Sequence, residues 1–250
     1  MQAAKLIATG CFTLSLATLA CVAPAHADDP WSQVDVEIVS AAGELFPTYP
    51  VKRGSGKELR AYLEARNQAR YRIRVHNRAA RRVGLVIAVD GRNIISGARS
   101  ELERGEPMYI LDARESATYE GWRTSQSEVH EFYFTDWTDS YAEAFGDRSA
   151  RGVIAVAVFR EKIPMQTWRA PDPMQQNRSA DERSEPAAAP TAKAGEGARS
   201  SAAGTGFGEE VYSPVRLVDF ESERTPARRY LFKYEWRETL CAKRVIECLQ

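Results

Sequence analysis

The chain has 250 residues, with 34 Lys and Arg against 34 Asp and Glu, and 44% of its residues are hydrophobic. This size suits one sizeable globular domain or two small ones, and the even charge gives no reason to expect nucleic acid as a partner. No motif has the spacing of a metal site or of a cofactor-binding loop in its proper context, so no cofactor is expected.

The first 27 residues have the three parts of a cleavable secretory signal peptide. Lys5 supplies a positive charge, residues 6–20 form an apolar run, and Ala25-His26-Ala27 offers small residues at a cleavage site. The run is too short and too interrupted to remain as a membrane span, so none is expected in the mature chain. The sequence therefore predicts a periplasmic or secreted protein that begins at Asp28.

A competing interpretation concerns Cys21, which follows Leu19-Ala20 and could occupy the lipidated position of a lipoprotein. Such a site has a branched aliphatic residue three positions before the cysteine, and here that position is Thr18. Cleavage after Ala27 fits the sequence better.

Residues 31–166 are predicted to form a body of β-strands. Apolar and polar residues alternate at 34–38 and at 70–76, which is typical of half-buried strands. Residues 83–89 and 153–159 are continuous apolar runs with several β-branched residues, as expected of central strands. Further strands are expected at 60–65, whose composition also suits a helix, and at 94–95, 108–111, 117–122 and 129–135.

Turn and cap residues separate these strands. Residues 90–93 have the sequence DGRN, which predicts the turn of a hairpin. Residues 140–145 form a short predicted helix, with Ser140 and Glu143 as a capping box and Gly146 at its end. Eight or nine short strands with turns between them predict an all-β fold, an antiparallel β-sandwich.

A compositional boundary follows the body. Residues 171–203 contain no aromatic residue and no Ile, Leu or Val, so this linker cannot bury a core and is expected to be disordered. Residues 205–250 form a small predicted α/β tail, with strands at 212–220 and 230–236 and then a short helix. The tail is small for an independent domain, so we expect it to dock on the body.

Two cysteines, Cys241 and Cys248, remain after signal cleavage, and a disulfide between them is the default in an oxidising compartment. On one continuous helix they would lie ~10 Å apart, beyond the ~7 Å limit for a disulfide. A bridge therefore requires the helix to end between them. The alternatives are free thiols or a bond to another chain.

Five stretches of the chain resemble a family of exported proteobacterial β-rich proteins of unassigned function. The resemblance covers most of the body and tail but not the linker, and it implies kinship without implying any site. The stretches are VDGRNIISG at 89–97, YEGWRTS at 119–125, GVIAVAVF at 152–159, GTGFG at 204–208 and YSPVR at 212–216.

The most distinctive predicted surface is a basic strand, in which Arg70, Arg72, Arg74 and His76 share one face. These side chains could bind an anionic ligand, such as a phosphorylated glycan, a lipid head group or an acidic protein segment. The alternative is a solvated sheet face whose arginines meet acidic residues on neighbouring strands. Carboxylates within ~4 Å of the guanidinium groups would distinguish the second case from the first.

Other candidate features have a structural and a functional interpretation. Residues 204–208 are glycine-rich but follow the linker, so they indicate a flexible entry to the tail, or a backbone that approaches a partner closely. Trp122 and Trp137 could form a glycan platform, although core packing is the more common use of such residues. Glu120 and Asp136 could be the acid and base of a glycan hydrolase.

The sequence therefore predicts an exported, non-enzymatic binding or cell-envelope assembly protein that recognises an anionic ligand or protein partner through the basic strand. A hydrolase of envelope polymer with paired carboxylates is the alternative, so catalysis stays open. A carrier of small ligands is a third class, and it would need an interior cavity.

Export makes a prediction about the mature N-terminus. Because the cleavage site is Ala25-His26-Ala27, protein purified from the producing cell should begin at Asp28 when its N-terminus is sequenced. An intact Met1 would contradict export, and an acylated Cys21 would replace it with the lipoprotein interpretation.

Overall fold

A computed structural model describes residues 33–51, 56–144, 150–162 and 202–248, and these residues form two β-sheets that share one hydrophobic core. The all-β sandwich predicted from the sequence is confirmed. The predicted signal peptide, and the predicted linker up to residue 201, lie outside the described residues. No helix in the described ranges is long and apolar enough to cross a membrane.

The strands are short and are numbered in chain order. They are β1 (Val34–Ser40), β2 (Thr48–Pro50), β3 (Glu58–Ala65), β4 (Arg70–Asn77), β5 (Val83–Val89), β6 (Arg92–Asn93), β7 (Tyr109–Leu111), β8 (Ser116–Tyr119), β9 (Gly121–Arg123), β10 (Glu128–Asp136), β11 (Val153–Arg160), β12 (Ala203–Thr205), β13 (Glu210–Tyr212) and β14 (Arg228–Trp236). The two α-helices are α1 (Tyr141–Ala144) and α2 (Arg237–Ala242).

The two sheets have different strand orders. The first sheet runs β1-β4-β10-β12, with β8 beside β4 and with β9 and β13 beside β10. The second runs β2-β3-β14-β11-β5-β6, with β7 beside β5. The described strand pairs are antiparallel except for β3 and β14, which pair in parallel.

The continuous apolar runs at β5 and β11 follow from burial on both faces of the second sheet. Every residue of β5 is buried, as are the six central residues of β11. One face packs in the main core, and the other buries Val86, Ala157 and Phe159 beneath Leu102 and Met108. A strand covered on both sides has no face for polar residues, so alternation is lost.

The predicted hairpin is present but tighter than expected. Asp90 and Gly91 alone form the turn, with φ angles of 50° and 82°, as a two-residue type I′ turn requires. Strand β6 begins at once and pairs Arg92 with Val89. Ile94, predicted to lie in the partner strand, instead follows β6 and is buried in the core.

The tail is part of both sheets and does not dock on a finished body. Strand β14 lies between β3 and β11 in the second sheet, while β12 and β13 pair with β10 in the first. Ala203, assigned to the predicted linker, is buried in β12. The predicted strand at 212–220 is wrong, because β13 ends at Tyr212 and the next residues leave the first sheet for the second.

The predicted end of the C-terminal helix between the two cysteines is confirmed. Helix α2 ends at Ala242, and Arg244 turns the chain back with a φ of 54°. This reversal brings Cys248 to Cys241 with a Cα–Cα distance of 5.8 Å, and the two form a disulfide.

The disulfide should be present in the purified protein and should stabilise it modestly. Non-reducing mass spectrometry should find Cys241 linked to Cys248 within one chain. Replacing both cysteines with Ser should lower the free energy of unfolding by about 2–3 kcal/mol at most, because the closed loop is short. Two free thiols, or a disulfide-linked dimer, would contradict the assignment.

Candidate functional site

The basic strand has the predicted orientation. In β4 the side chains of Tyr71, Ile73 and Val75 are buried in the core, and the residues between them point outward. Strands β1 and β8 pair with β4 along its two edges. Arg70, Arg72, Arg74 and His76 therefore share one face of the first sheet.

Each arginine of this face has a carboxylate partner from another part of the chain. The partners lie on neighbouring strands or beside them. The contacts of Arg72 with Glu120 and of Arg70 with Glu131 are ion pairs without hydrogen-bond alignment. The ion pairs are Arg70 with Glu131 (2.7 Å) and Glu209 (2.8 Å), Arg72 with Glu120 (3.3 Å) and Arg74 with Glu37 (2.8 Å).

This pairing matches the alternative in which the basic strand is a solvated sheet face whose arginines meet acidic residues on neighbouring strands. An anion site needs unpaired cations, and Arg70, Arg72 and Arg74 already lie within 4 Å of carboxylates. His76 hydrogen-bonds Ser116 of β8 through Nδ1. Strand register is the physical cause, since it places Glu37 directly opposite Arg74. We therefore do not propose an anion site on this face.

The two candidate hydrolase carboxylates do not come together. The carbonyl of Glu120 accepts a hydrogen bond from the amide of Phe132, four residues before Asp136 on β10. Four strand residues span ~13 Å, which exceeds the ~6.5–9.5 Å between carboxyl groups in inverting glycosidases. In the described ranges no three His, Cys, Asp or Glu side chains are placed to hold a metal ion.

The two tryptophans are core residues rather than a glycan platform. Trp122 and Trp137 are 2% and 3% exposed. The Trp122 indole N–H donates to the carbonyl of Gly206 at 3.0 Å, and its ring meets Phe132 edge-on.

The glycine-rich segment at 204–208 is packed and is not a flexible entry to the tail. A Cβ on Gly206 would overlap the Tyr133 ring, and one on Gly208 would lie 2.7 Å from the Glu131 carbonyl. Phe207 stacks on His130 with ring centroids 4.0 Å apart. The glycines do permit a close approach, and the surface they approach is β10 of the same chain.

A buried carboxylate that the sequence did not indicate lies at the centre of the fold. Asp90 is fully buried and accepts hydrogen bonds from the amides of Gly152 (2.7 Å) and Thr205 (2.9 Å) and from the hydroxyl of Tyr234 (2.6 Å). Desolvation raises its pKa to about 6, and these hydrogen bonds limit the rise. The Asp-Gly pair signals a turn, but no pattern shows that this carboxylate points inward.

Thr205 extends this network between the two sheets. Its hydroxyl lies 2.8 Å from the hydroxyls of both Tyr71 in β4 and Tyr234 in β14. Burial holds the pKa of both tyrosines well above its usual range. The network therefore consists of polar groups that satisfy one another inside an apolar core.

Residues 212–221, here called the strap, cross from the first sheet to the second. At one end the amides of Ser213 and Val215 donate to the carbonyls of Ser127 (2.7 Å) and Gln126 (2.8 Å). At the other end the carbonyl of Glu221 accepts from the amide of Lys162 at 2.7 Å. Both ends are therefore fixed to the sandwich.

The strap exposes apolar side chains. Four of the seven exposed large hydrophobic residues in the described ranges belong to the strap. They are Tyr212 (75% exposed), Val215 (38%), Leu217 (90%) and Val218 (42%).

Comparison of the chain with protein-family models, with curated proteins and with solved structures finds no match. The resemblance to exported proteobacterial proteins therefore stays a prediction.

The buried Asp90 predicts a specific pH dependence of stability. Its pKa is about 6 in the folded chain and ~3.9 in an unfolded chain, so the folded state binds the proton more tightly. Asp90 therefore lowers stability as pH rises from 4 to 6. The difference in the free energy of unfolding, wild type minus Asp90→Asn, should fall by about 3 kcal/mol over this range.

Chemical denaturation at several pH values measures this difference, and Asp139→Asn, at an exposed position, is the matched control. A wild-type minus Asp90→Asn difference that is flat between pH 4 and 6 would contradict the assignment.

Proposed function

We propose that this chain is an exported, non-enzymatic binding protein of the cell envelope, periplasmic or secreted, and that it binds a partner protein through the strap. The signal-like residues 1–27 support export. The exposed apolar side chains of the strap are the observation that carries the binding role.

The strap concentrates apolar surface that folding alone does not explain. Single exposed hydrophobic residues are normal, whereas a contiguous exposed group marks an interaction surface. Leu217 is 90% exposed, and burying a leucine side chain contributes about 1.5–3 kcal/mol. A partner that covers Leu217 and its neighbours would gain this free energy.

The backbone of the strap favours an extended segment of the partner as the occupant. Among the described residues, the amides of Arg216, Leu217 and Val218 have no hydrogen-bond partner. Since the strap also follows β13, at the edge of the first sheet, an extended segment could pair with its main chain. Apolar side chains of the same segment would then cover Leu217 and Val218.

The packed interior supports a binding surface over a carrier of small ligands. Tyr71 stacks between Phe132 and Phe134, with centroid distances of 5.2 and 4.3 Å, and Phe134 contacts Tyr234. A small cavity between β1, β5, β11 and β14 holds about 20 Å³, room for about one water molecule. An organic ligand needs a pocket of about 300 Å³ or more.

The hydrolase alternative gains no support from the carboxylates that suggested it. Glu120 is held in an ion pair with Arg72, and its backbone lies several strand residues from Asp136. The acid and base of a glycosidase must face one scissile bond from opposite sides.

A photoreactive residue at position 217 tests the proposal in the producing cell. We expect irradiation to yield one discrete adduct with another protein, because Leu217 is the most exposed apolar residue of the strap. The matched control is the same residue at position 45, where Leu45 is 60% exposed but lies outside the strap.

The partner identified from the adduct should then be purified, and its affinity for this chain should be measured. Leu217→Ser should weaken binding of the identified partner by about tenfold or more, by the loss of a buried leucine. It should change the free energy of unfolding by less than about 0.5 kcal/mol, because the site is on the surface. Equal adducts at positions 45 and 217, no adduct, or an adduct with a second copy of this chain would contradict the proposal.

A further inference from the structure

We propose that a cleft at the edge of the second sheet, lined by Lys57, Arg224 and Arg229, binds the phosphate group of a small molecule or of a lipid head group. This site is separate from the strap and does not depend on the strap's function. The cleft is open to solvent and has a volume of about 330 Å³, within the range of small-ligand sites.

Backbone pairing brings the main chains of two of the three cationic residues together. Strand β14 pairs in parallel with β3, and the amide of Arg229 donates to the carbonyl of Lys57 at 2.9 Å. Arg229 also lies opposite Glu58 in the register of the two strands. Lys57 and Arg229 therefore belong to one fixed corner of the sheet.

The third cation comes from an anchored loop. The amides of Glu223 and Ala227 donate to carbonyls of β11 at 2.9 and 2.7 Å. Between these two anchors lie Arg224 and Thr225, both of which are exposed and line the cleft. The loop therefore holds a guanidinium and a hydroxyl donor beside the first two cations.

These cations differ from those of the basic strand because they are unpaired. Among the described residues, Lys57, Arg224 and Arg229 have no carboxylate within 4 Å, whereas the three arginines of β4 are all paired. This is the condition that an anion site requires and that the basic strand does not meet.

The cleft also contains two carboxylates. Glu58 is engaged by Arg60, and Glu103 lines the cleft without a described cation partner. Three cations against one free carboxylate leave a net positive site. Mutual repulsion of the cations would be relieved by an oxyanion that sits among them.

The donor set fits phosphate chemistry. A guanidinium can bind two oxygens of an oxyanion through parallel N–H bonds, while Lys57 contributes a compact positive charge and Thr225 a hydroxyl donor. A phosphate group offers several oxygens and up to two negative charges, so it can satisfy three cations better than a single carboxylate can.

Titration of the mature protein with inorganic phosphate, followed by the amide resonances of Thr225 and Arg229, tests the site. Saturable shifts are expected in the wild type. The double variant Arg224→Gln/Arg229→Gln, here called the cleft variant, should bind phosphate at least tenfold more weakly than the wild type. Glu103→Gln should bind severalfold more tightly, because it removes the opposing negative charge.

The matched control is Arg66→Gln/Arg114→Gln, which loses the same charge at two exposed positions outside the cleft. Thermal unfolding of each variant verifies that it is folded. Equal weakening by the control and the cleft variant, or an unchanged affinity in Glu103→Gln, would overturn the site in favour of diffuse charge attraction.

A second arm distinguishes the two sources of phosphate. The same variants are mixed with vesicles of phosphatidylglycerol in phosphatidylcholine, and co-sedimentation is measured. If the wild type sediments with the vesicles and the cleft variant does not, the phosphate group belongs to a lipid head group. Saturable phosphate binding without sedimentation assigns a soluble phosphorylated molecule. The absence of cleft-dependent binding in both arms would refute the proposal.

Discussion

The buried carboxylate of Asp90 joins the segments of the chain before and after the predicted linker. It sits in the turn between β5 and β6, and its oxygens accept hydrogen bonds from Gly152 before β11, from Thr205 in β12 and from Tyr234 in β14. A buried charge without partners costs several kcal/mol. Removing the C-terminal segment would strip Asp90 of two of these three donors. The carboxylate therefore ties residues after the predicted linker to the centre of the sandwich.

Sheet order has the same consequence for the C-terminal segment. Because β14 lies between β3 and β11, the second sheet is incomplete until this segment is in place. The first sheet gains β12 and β13 from the same segment, and the strap between β13 and β14 must cross the surface to join the two sheets. The exposed strap is thus a product of this topology, and both of its ends are hydrogen-bonded to the sandwich.

Periodicity alone predicted most strands of the body, because alternation at 70–76 and the apolar runs at 83–89 and 153–159 are local signals. The role of the basic strand was not predictable in this way. Its partners, Glu37, Glu120, Glu131 and Glu209, are scattered along the chain, and only the tertiary fold brings them to β4. The same holds for the cleft of Lys57, Arg224 and Arg229, which combines segments that are distant in sequence. The position of β14 inside the second sheet also depends on long-range pairing that composition does not encode.

Because both sheets contain strands from before and after the predicted linker, we expect these segments to form one cooperative unit. Native-state hydrogen exchange of the amides in β5, β11 and β14 tests it most directly. We expect the slowest amides of all three strands to exchange with the same opening free energy, equal to that of global unfolding. Exchange of β14 through a lower-energy opening, while β5 and β11 stay protected, would show that the C-terminal segment is a detachable tail and would contradict this account.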